Sequence, residues 1–416
     1  MVFVCFATIC ACFASSPSIS APRTPTNSAE VLERLPIRPG DPIARELADL
    51  RAEVTRAAKQ TPADSGPATA LAQRYFELAV ARGDPRYVGY ADALVAQFPQ
   101  TKSPELLAVR GQLQQYRHGF ATALADFASA LDADPQFAVA HAWRGAIFLV
   151  QADYVSAQSE CNALQSLQRE TLYGGCIGLL RAYTGQLAAA DSALQAALKL
   201  TTNAANRLWL LTRLAEVSAW RSQPEKAERY YREALALGID DGYLLAAWSD
   251  FLLDQKRPAD VVKWLAGWEA SDGLLLRLAI AENLLKLPAA KAHSQAMGDR
   301  FAAARMRGDT THMAEEARFE LQLLGNPAAS LAVASANYQV QREPRDARAL
   351  LEAAIATGNI AAAQPVRDWL RTSGFEDPHL RQLGERSAQI SNQVSPSTRE
   401  NGNSVVKADP KPAPKS

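Results

Sequence analysis

Chemistry in this chain would have to come from few residues. Five histidines, His118, His141, His293, His312 and His379, fall far apart, and none forms an HExxH or comparable ligand pair. His312 with Glu315 and Glu316 is the one cluster at helical i, i+3, i+4 spacing. Holding a metal there would need an ordered outer shell, so the trio reads as the polar start of a helix. Cys5, Cys10 and Cys12 crowd the first residues and leave Cys161 and Cys176 in the rest of the chain. That pair is not a CxxC, the spacing that redox catalysis or a zinc knuckle would use. No GxSxG elbow, Walker loop or dinucleotide fingerprint is present. Gly174-Gly175 has no strand before it and reads as a packing site inside a helix. Asp240-Asp241 sits in a turn, where an aspartate caps the following helix. The expectation is a protein that binds and does not catalyse, with no cofactor and no metal.

The elements that carry these residues repeat. From Pro104 to Pro135 the chain reads PELLAVRGQLQQYRHGFATALADFASALDADP. Leu107 and Gly111 share a face of a first helix, Arg117-His118-Gly119 break it, and Ala123, Phe127 and Ala130 share a face of a second. Pro135 ends that helix, because proline cannot continue one and restricts the residue before it. Gly111 and Ala123 are small where the two helices cross, and Phe127 fills the space beside them. Gly111, Gly145 and Gly178 recur about every 34 residues, and Ala123, Ala157, Ala190, Ala227 and Val261 mark the same point of successive second helices. Pro224–Gly238, PEKAERYYREALALG, repeats the second helix with Ala227, Tyr231 and Ala234. One such hairpin cannot bury its apolar face alone, so neighbours must stack on it.

This pattern resembles the tetratricopeptide repeat (TPR) superfamily over most of residues 68–375. The longer runs RGDPRYVGYADAL and ARFELQLLGNPAASLAVASANYQVQREPRDARALLEAA resemble exported bacterial TPR proteins. The resemblance implies an all-α, right-handed TPR-type solenoid of about eight to nine hairpins. It also implies a concave groove lined by first helices, taking a protein or peptide. On that groove it places Tyr116, Tyr183, Trp209, Glu216, Trp220, Tyr243, Asp250 and Phe319, with the structural alternative that the aromatics pack between repeats. Trp264 and Trp268, on a second helix, are expected in the core. In the same architecture Cys161 and Cys176 fall on helices that pack side by side. They then form a disulfide in an oxidising compartment, or are two buried reduced thiols.

The ends differ from the array. Residues 1–21 read as an export signal, an apolar run from Val2 to Ala14 followed by small residues, although no Lys or Arg precedes it. The run is too short for a membrane span, which needs roughly 20 apolar residues. The expected location is therefore periplasmic or secreted, with a lipid anchor at Cys12 as the weaker alternative. Residues 22–67 read as a linker with a helix starting at Pro42, 376–390 as a capping helix and 391–416 as a disordered tail. Lys+Arg and Asp+Glu are both 44, so the net charge is zero and a nucleic-acid partner is not expected. The alternatives are a cytosolic TPR adaptor and an envelope protein that binds glycan or cell wall through groove aromatics.

Overall fold

In the computed structural model of the chain, residues 41–59 and 64–394 are described. The export segment, Cys12 and residues 395–416 lie outside them. The chain divides into two compact units, residues 1–49 and 50–416. The Asp41 carboxylate accepts the Ile43 backbone N–H at 2.9 Å and starts α1, Pro42–Ala57, within which that division falls, with Pro42 where a missing N–H costs nothing.

The second unit holds nine helical hairpins among the described residues. They are α2 (Gly66–Arg82) with α3 (Arg86–Val95), α4 (Pro104–Tyr116) with α5 (Phe120–Ala133), and α6 (Ala138–Val150) with α7 (Tyr154–Ser166). Next come α8 (Glu170–Tyr183) with α9 (Leu187–Leu200), α10 (Ala204–Trp220) with α11 (Pro224–Leu235), and α12 (Gly242–Asp254) with α13 (Pro258–Leu265). The last three are α14 (Asp272–Leu284) with α15 (Ala289–Met306), α16 (Met313–Gln322) with α17 (Pro327–Val340), and α18 (Pro344–Thr357) with α19 (Gln364–Ser373). Helix α20, Pro378–Val394, closes the described chain. It buries Leu380 and Leu383 and exposes Arg381, Glu385 and Arg386. The described residues form an all-α solenoid of helical hairpins.

Each hairpin is fixed by one crossing and one turn. At the crossing of α4 and α5, a methyl group on Gly111 would lie 2.8 Å from the Phe127 ring, so only glycine lets the two helices close. Gly174 likewise faces Ala197. At the turn, the first helix ends on one residue in the left-handed region: His118, Ala152, Gly185, Ser222, Lys256 and Lys286 in six successive hairpins. The next N–H then reaches back to a carbonyl five residues earlier, as from Gly119 to Gln114 and from Asp153 to Phe148 at 2.8–2.9 Å. This is the Schellman end of a helix. Only one of the six turn residues is glycine, so periodic glycine in the sequence marks crossings more than turns.

The array turns back on itself. Gly242 of α12 approaches the Val80 carbonyl of α2 so closely that a methyl group there would sit 3.2 Å from it. The last hairpins then pack against the first helices of earlier ones. One apolar core joins Tyr183, Leu187, Leu210 and Leu214 to Tyr338, Leu350, Phe375 and Leu380. Its edges are pinned by hydrogen bonds. The Arg342 N–H donates to the Val150 carbonyl at 2.8 Å, the Leu187 N–H to Glu376 at 2.9 Å, and the Trp369 indole N–H to the Tyr154 hydroxyl at 2.7 Å. A second core spans α10 to α16 around Trp248, which is fully buried. Trp268 packs partly buried against that core, whereas Trp264, expected inside, is 39% exposed and meets Trp248 edge-on.

Candidate functional site

The face that the repeat resemblance assigns to a groove is largely turned onto the chain itself. Tyr183 is 3% exposed. Its ring meets Trp220 at 6.1 Å and Phe375 at 6.4 Å, and its hydroxyl donates to Glu343 at 3.3 Å. Trp220 stands edge-on to Phe375 at 5.3 Å. Phe375 comes from the loop after α19, so the chain's own C-terminal region occupies this part of the face. Phe319 is buried against Phe301, their rings 5.3 Å apart. Tyr116 lies edge-on to Phe76, and burial pushes its hydroxyl up to about 12. Only Trp209 keeps a large exposed ring, at 38%, seated where Gly175 leaves room and with the Arg213 guanidinium 5.7 Å from it.

The carboxylates of the same set are bound up in charge networks. Glu216 accepts from Arg213 at 2.9 Å and from the Tyr243 hydroxyl at 2.6 Å, and Arg213 lies 4.1 Å over the Tyr243 ring. Asp250 accepts from Arg277 at 2.6 Å and Arg318 at 2.9 Å. Burial would raise the Asp250 carboxyl, but the two guanidiniums outweigh it and hold it well below the ordinary range. Nearby, His118 accepts from the Gln341 amide at 3.1 Å. Burial first, then Arg345, lowers this imidazole to about 4. Burial also drives Asp346 upward at the start of α18, although Asn337 and the Glu343 N–H both donate to it. These groups brace the junction between the early and late hairpins. Among the described residues, no group of three or more His, Cys, Asp or Glu side chains could hold a metal ion.

Cys161 on α7 and Cys176 on α8 are joined in a disulfide. It ties the second helix of one hairpin to the first helix of the next, beside Gly145 of α6, whose missing side chain leaves space for the Cys176 sulfur.

An open surface lies elsewhere, at a gap in the stack. Among the described hairpins, every other second helix packs on the first helix of the next, but α15 and α16 hardly touch. They meet at one end, through Phe301 on Phe319 and an ion pair between Arg305 and Glu316. Between them is a trough of about 650 Å³, walled by Leu287, Ala290, Ser294 and Gly298 on one side and Leu323 and Leu324 on the other. Leu324 in its wall is 53% exposed and Leu287 37%. Lys286 and Lys291 stand exposed at the rim. Glu320 lines the trough, with one carboxylate oxygen buried and unpartnered. The groove positions of the repeat pattern do not include these residues. A sequence signal was available in Leu284-Leu285-Lys286-Leu287, a greasy run at a helix-to-helix turn where polar residues are the rule.

The fold defines a solenoid of stacked helical hairpins. No protein-family model matches the chain and no curated protein matches it in sequence. Three solved structures match it distantly. The Cut9–Hcn1 hetero-tetramer of the APC/C matches at 13% identity and TM-score 0.48, over 77% of this chain and 62% of that one. This chain thus spans less than two thirds of that protein's length. Human IFIT1, solved as a dimer with m7Gppp-AAAA, matches at 12% identity and TM-score 0.42 over 84% of this chain and 85% of that one. The TPR domain of P58(IPK) matches at 14% identity and TM-score 0.22 over 85% and 96%. Likeness at this level carries no activity across. No helix among the described residues is long and apolar enough to cross a membrane.

Proposed function

We propose that this protein is a non-catalytic binding scaffold for another protein or peptide. The observation that carries it is the trough between α15 and α16. The trough sets open leucine surface beside unpaired charge in one concave place, the mix of apolar wall and polar rim that binding sites present. The earlier hairpins support the same reading from the other side, because the chain's own C-terminal helices already fill much of the face a partner would use there. Trp209 is the groove residue left with an open ring, and it serves as the comparison site.

We also propose that the scaffold is exported to an oxidising compartment. The apolar run at residues 2–14 and the Cys161–Cys176 disulfide support this together, since such bonds persist outside the reducing cytosol. The test is crosslinking in intact bacterial cells with the natural N-terminus, followed by fractionation and identification of what copurifies. The double variant Leu287→Asp/Leu324→Asp should lose the crosslinked partner, and Trp209→Ala should keep it. Loss only in Trp209→Ala would return the binding site to the groove. Protein found only in the cytosol with its first residues attached would reject export.

A further inference from the structure

The trough has a shape and a charge pattern that together select an occupant. We infer that it takes an amphipathic α-helix of about three turns, apolar on its buried face and acidic along its edges. This rests on the scaffold reading above and deepens it.

The shape comes from the break in the stack. Elsewhere in the array the second helix of a hairpin lies against the next first helix. Between α15 and α16 that contact is made only near Phe301 and Phe319. Ala290, Ser294 and Gly298 fall at i, i+4 and i+8 along α15, so the wall of the trough is a smooth helical stripe. Small residues in such a row let a second helix approach to the usual 8–10 Å between axes. Leu287, Leu323 and Leu324 then form the ridges that side chains of that helix would fit between. From Leu287 to Gly298 the wall is about 16 Å long at about 1.5 Å per residue, the length of about 11 helical residues. An extended strand would leave its backbone N–H and C=O groups facing leucine with nothing to pair them, which is costly. A helix satisfies its own.

The charge pattern fixes the flanks. Lys286 and Lys291 are exposed on the α15 side, and neither ammonium group has an ion pair among the described residues. Arg305 is already neutralised by Glu316. Glu320 sits within the trough itself, so negative charge is welcome at the rim and repelled inside. An occupant with glutamates along its edges and apolar residues underneath meets both conditions. A basic helix would set its charges against Lys286 and Lys291.

The probes are two synthetic helical peptides with the same leucine face, one with glutamate edges and one with lysine edges, measured by fluorescence anisotropy against the full chain at low and high salt. The acidic peptide should bind about tenfold or more tighter than the basic one, by two rim charges at typical exposed strength. High salt should narrow that ratio. Lys286→Glu/Lys291→Glu should invert the preference. Leu287→Asp/Leu324→Asp should abolish binding of both, with unchanged helical circular dichroism. Equal binding of the two peptides, or binding that Lys286→Glu/Lys291→Glu leaves unaltered, overturns the acidic-flank assignment while leaving the trough as a site. Binding untouched by Leu287→Asp/Leu324→Asp removes the trough itself. Tighter binding to phosphatidylglycerol vesicles than to the acidic peptide, or self-association lost in the same leucine variant, would replace the helix by a membrane or a second copy and refute the inference.

Discussion

Phe375→Ala should loosen the attachment of the C-terminal helices more than any other single truncation at that junction. The ring is fully buried, 5.2 Å from Trp369, 5.3 Å from Trp220 and 6.4 Å from Tyr183. Truncating a buried phenylalanine typically costs about 3–5 kcal/mol through lost transfer energy and the cavity left behind. The upper half of that range applies here. Three large rings line the site and two are held elsewhere, Trp369 by the Tyr154 hydroxyl and Tyr183 by Glu343, so collapse into the cavity is hindered. About 4 kcal/mol is a large share of a typical total stability of about 5–15 kcal/mol. The assay is urea unfolding followed by tryptophan emission, because two of the three neighbours are tryptophans. The native emission should shift to the red and the midpoint should fall, and Phe375→Leu should recover most of the loss. A stability loss below about 1 kcal/mol, with native emission unchanged, would refute this account of how the late hairpins are held.

Three further expectations concern bonds and charges. Removing the disulfide with Cys161→Ser/Cys176→Ser should cost about 3 kcal/mol by chain entropy, since the two cysteines are 15 residues apart, and reductant should lower the melting temperature of the native protein but not of the variant. Asp250→Asn should cost about 3–5 kcal/mol, because Arg277, with only 5% of its side chain exposed, is left facing a neutral group; a loss under about 1 kcal/mol in a melt at neutral pH would mean the pair is solvated. His118 has a folded value of about 4 against the ordinary 6.5, so the unfolded chain takes up its proton first. Its contribution is complete above pH 6.5 and is lost as the pH falls towards 4, by up to about 3 kcal/mol at about 1.4 kcal/mol per pH unit. His118→Asn, which tolerates the left-handed turn there, should flatten this limb of a stability–pH curve, and an unchanged limb would assign it to other groups.

How much of this could be read from the sequence depends on the range of the contacts involved. Gly111 against Phe127 and the spacing of Gly145 and Gly178 are local signals, repeated at one period, and the hairpins follow from them. So does the adjacency of Cys161 and Cys176, which needs only that neighbouring hairpins stack. The meeting of Tyr183 and Trp220 with Phe375 is different. It joins positions more than 150 residues apart, and no periodicity encodes which later segment returns to which earlier face. The aromatics could be assigned to first helices, but not the residue that covers them. The trough escaped for a related reason. It arises from a contact that is missing, α15 against α16, and a repeat pattern describes the contacts that recur.

A linear solenoid behaves as a one-dimensional chain of nearest neighbours, and its end units fray first. This one carries hydrogen bonds between residues 160 to 223 positions apart, such as Tyr183 to Glu343 and His118 to Gln341. The C-terminal hairpins are therefore not a loose end. Peeling them away would bare the flanks of the middle hairpins as well, so melting should be a single cooperative event where a simple array would unzip in steps. The same long loops must close before those contacts form, which raises the contact order and should make folding slow for an all-helical protein.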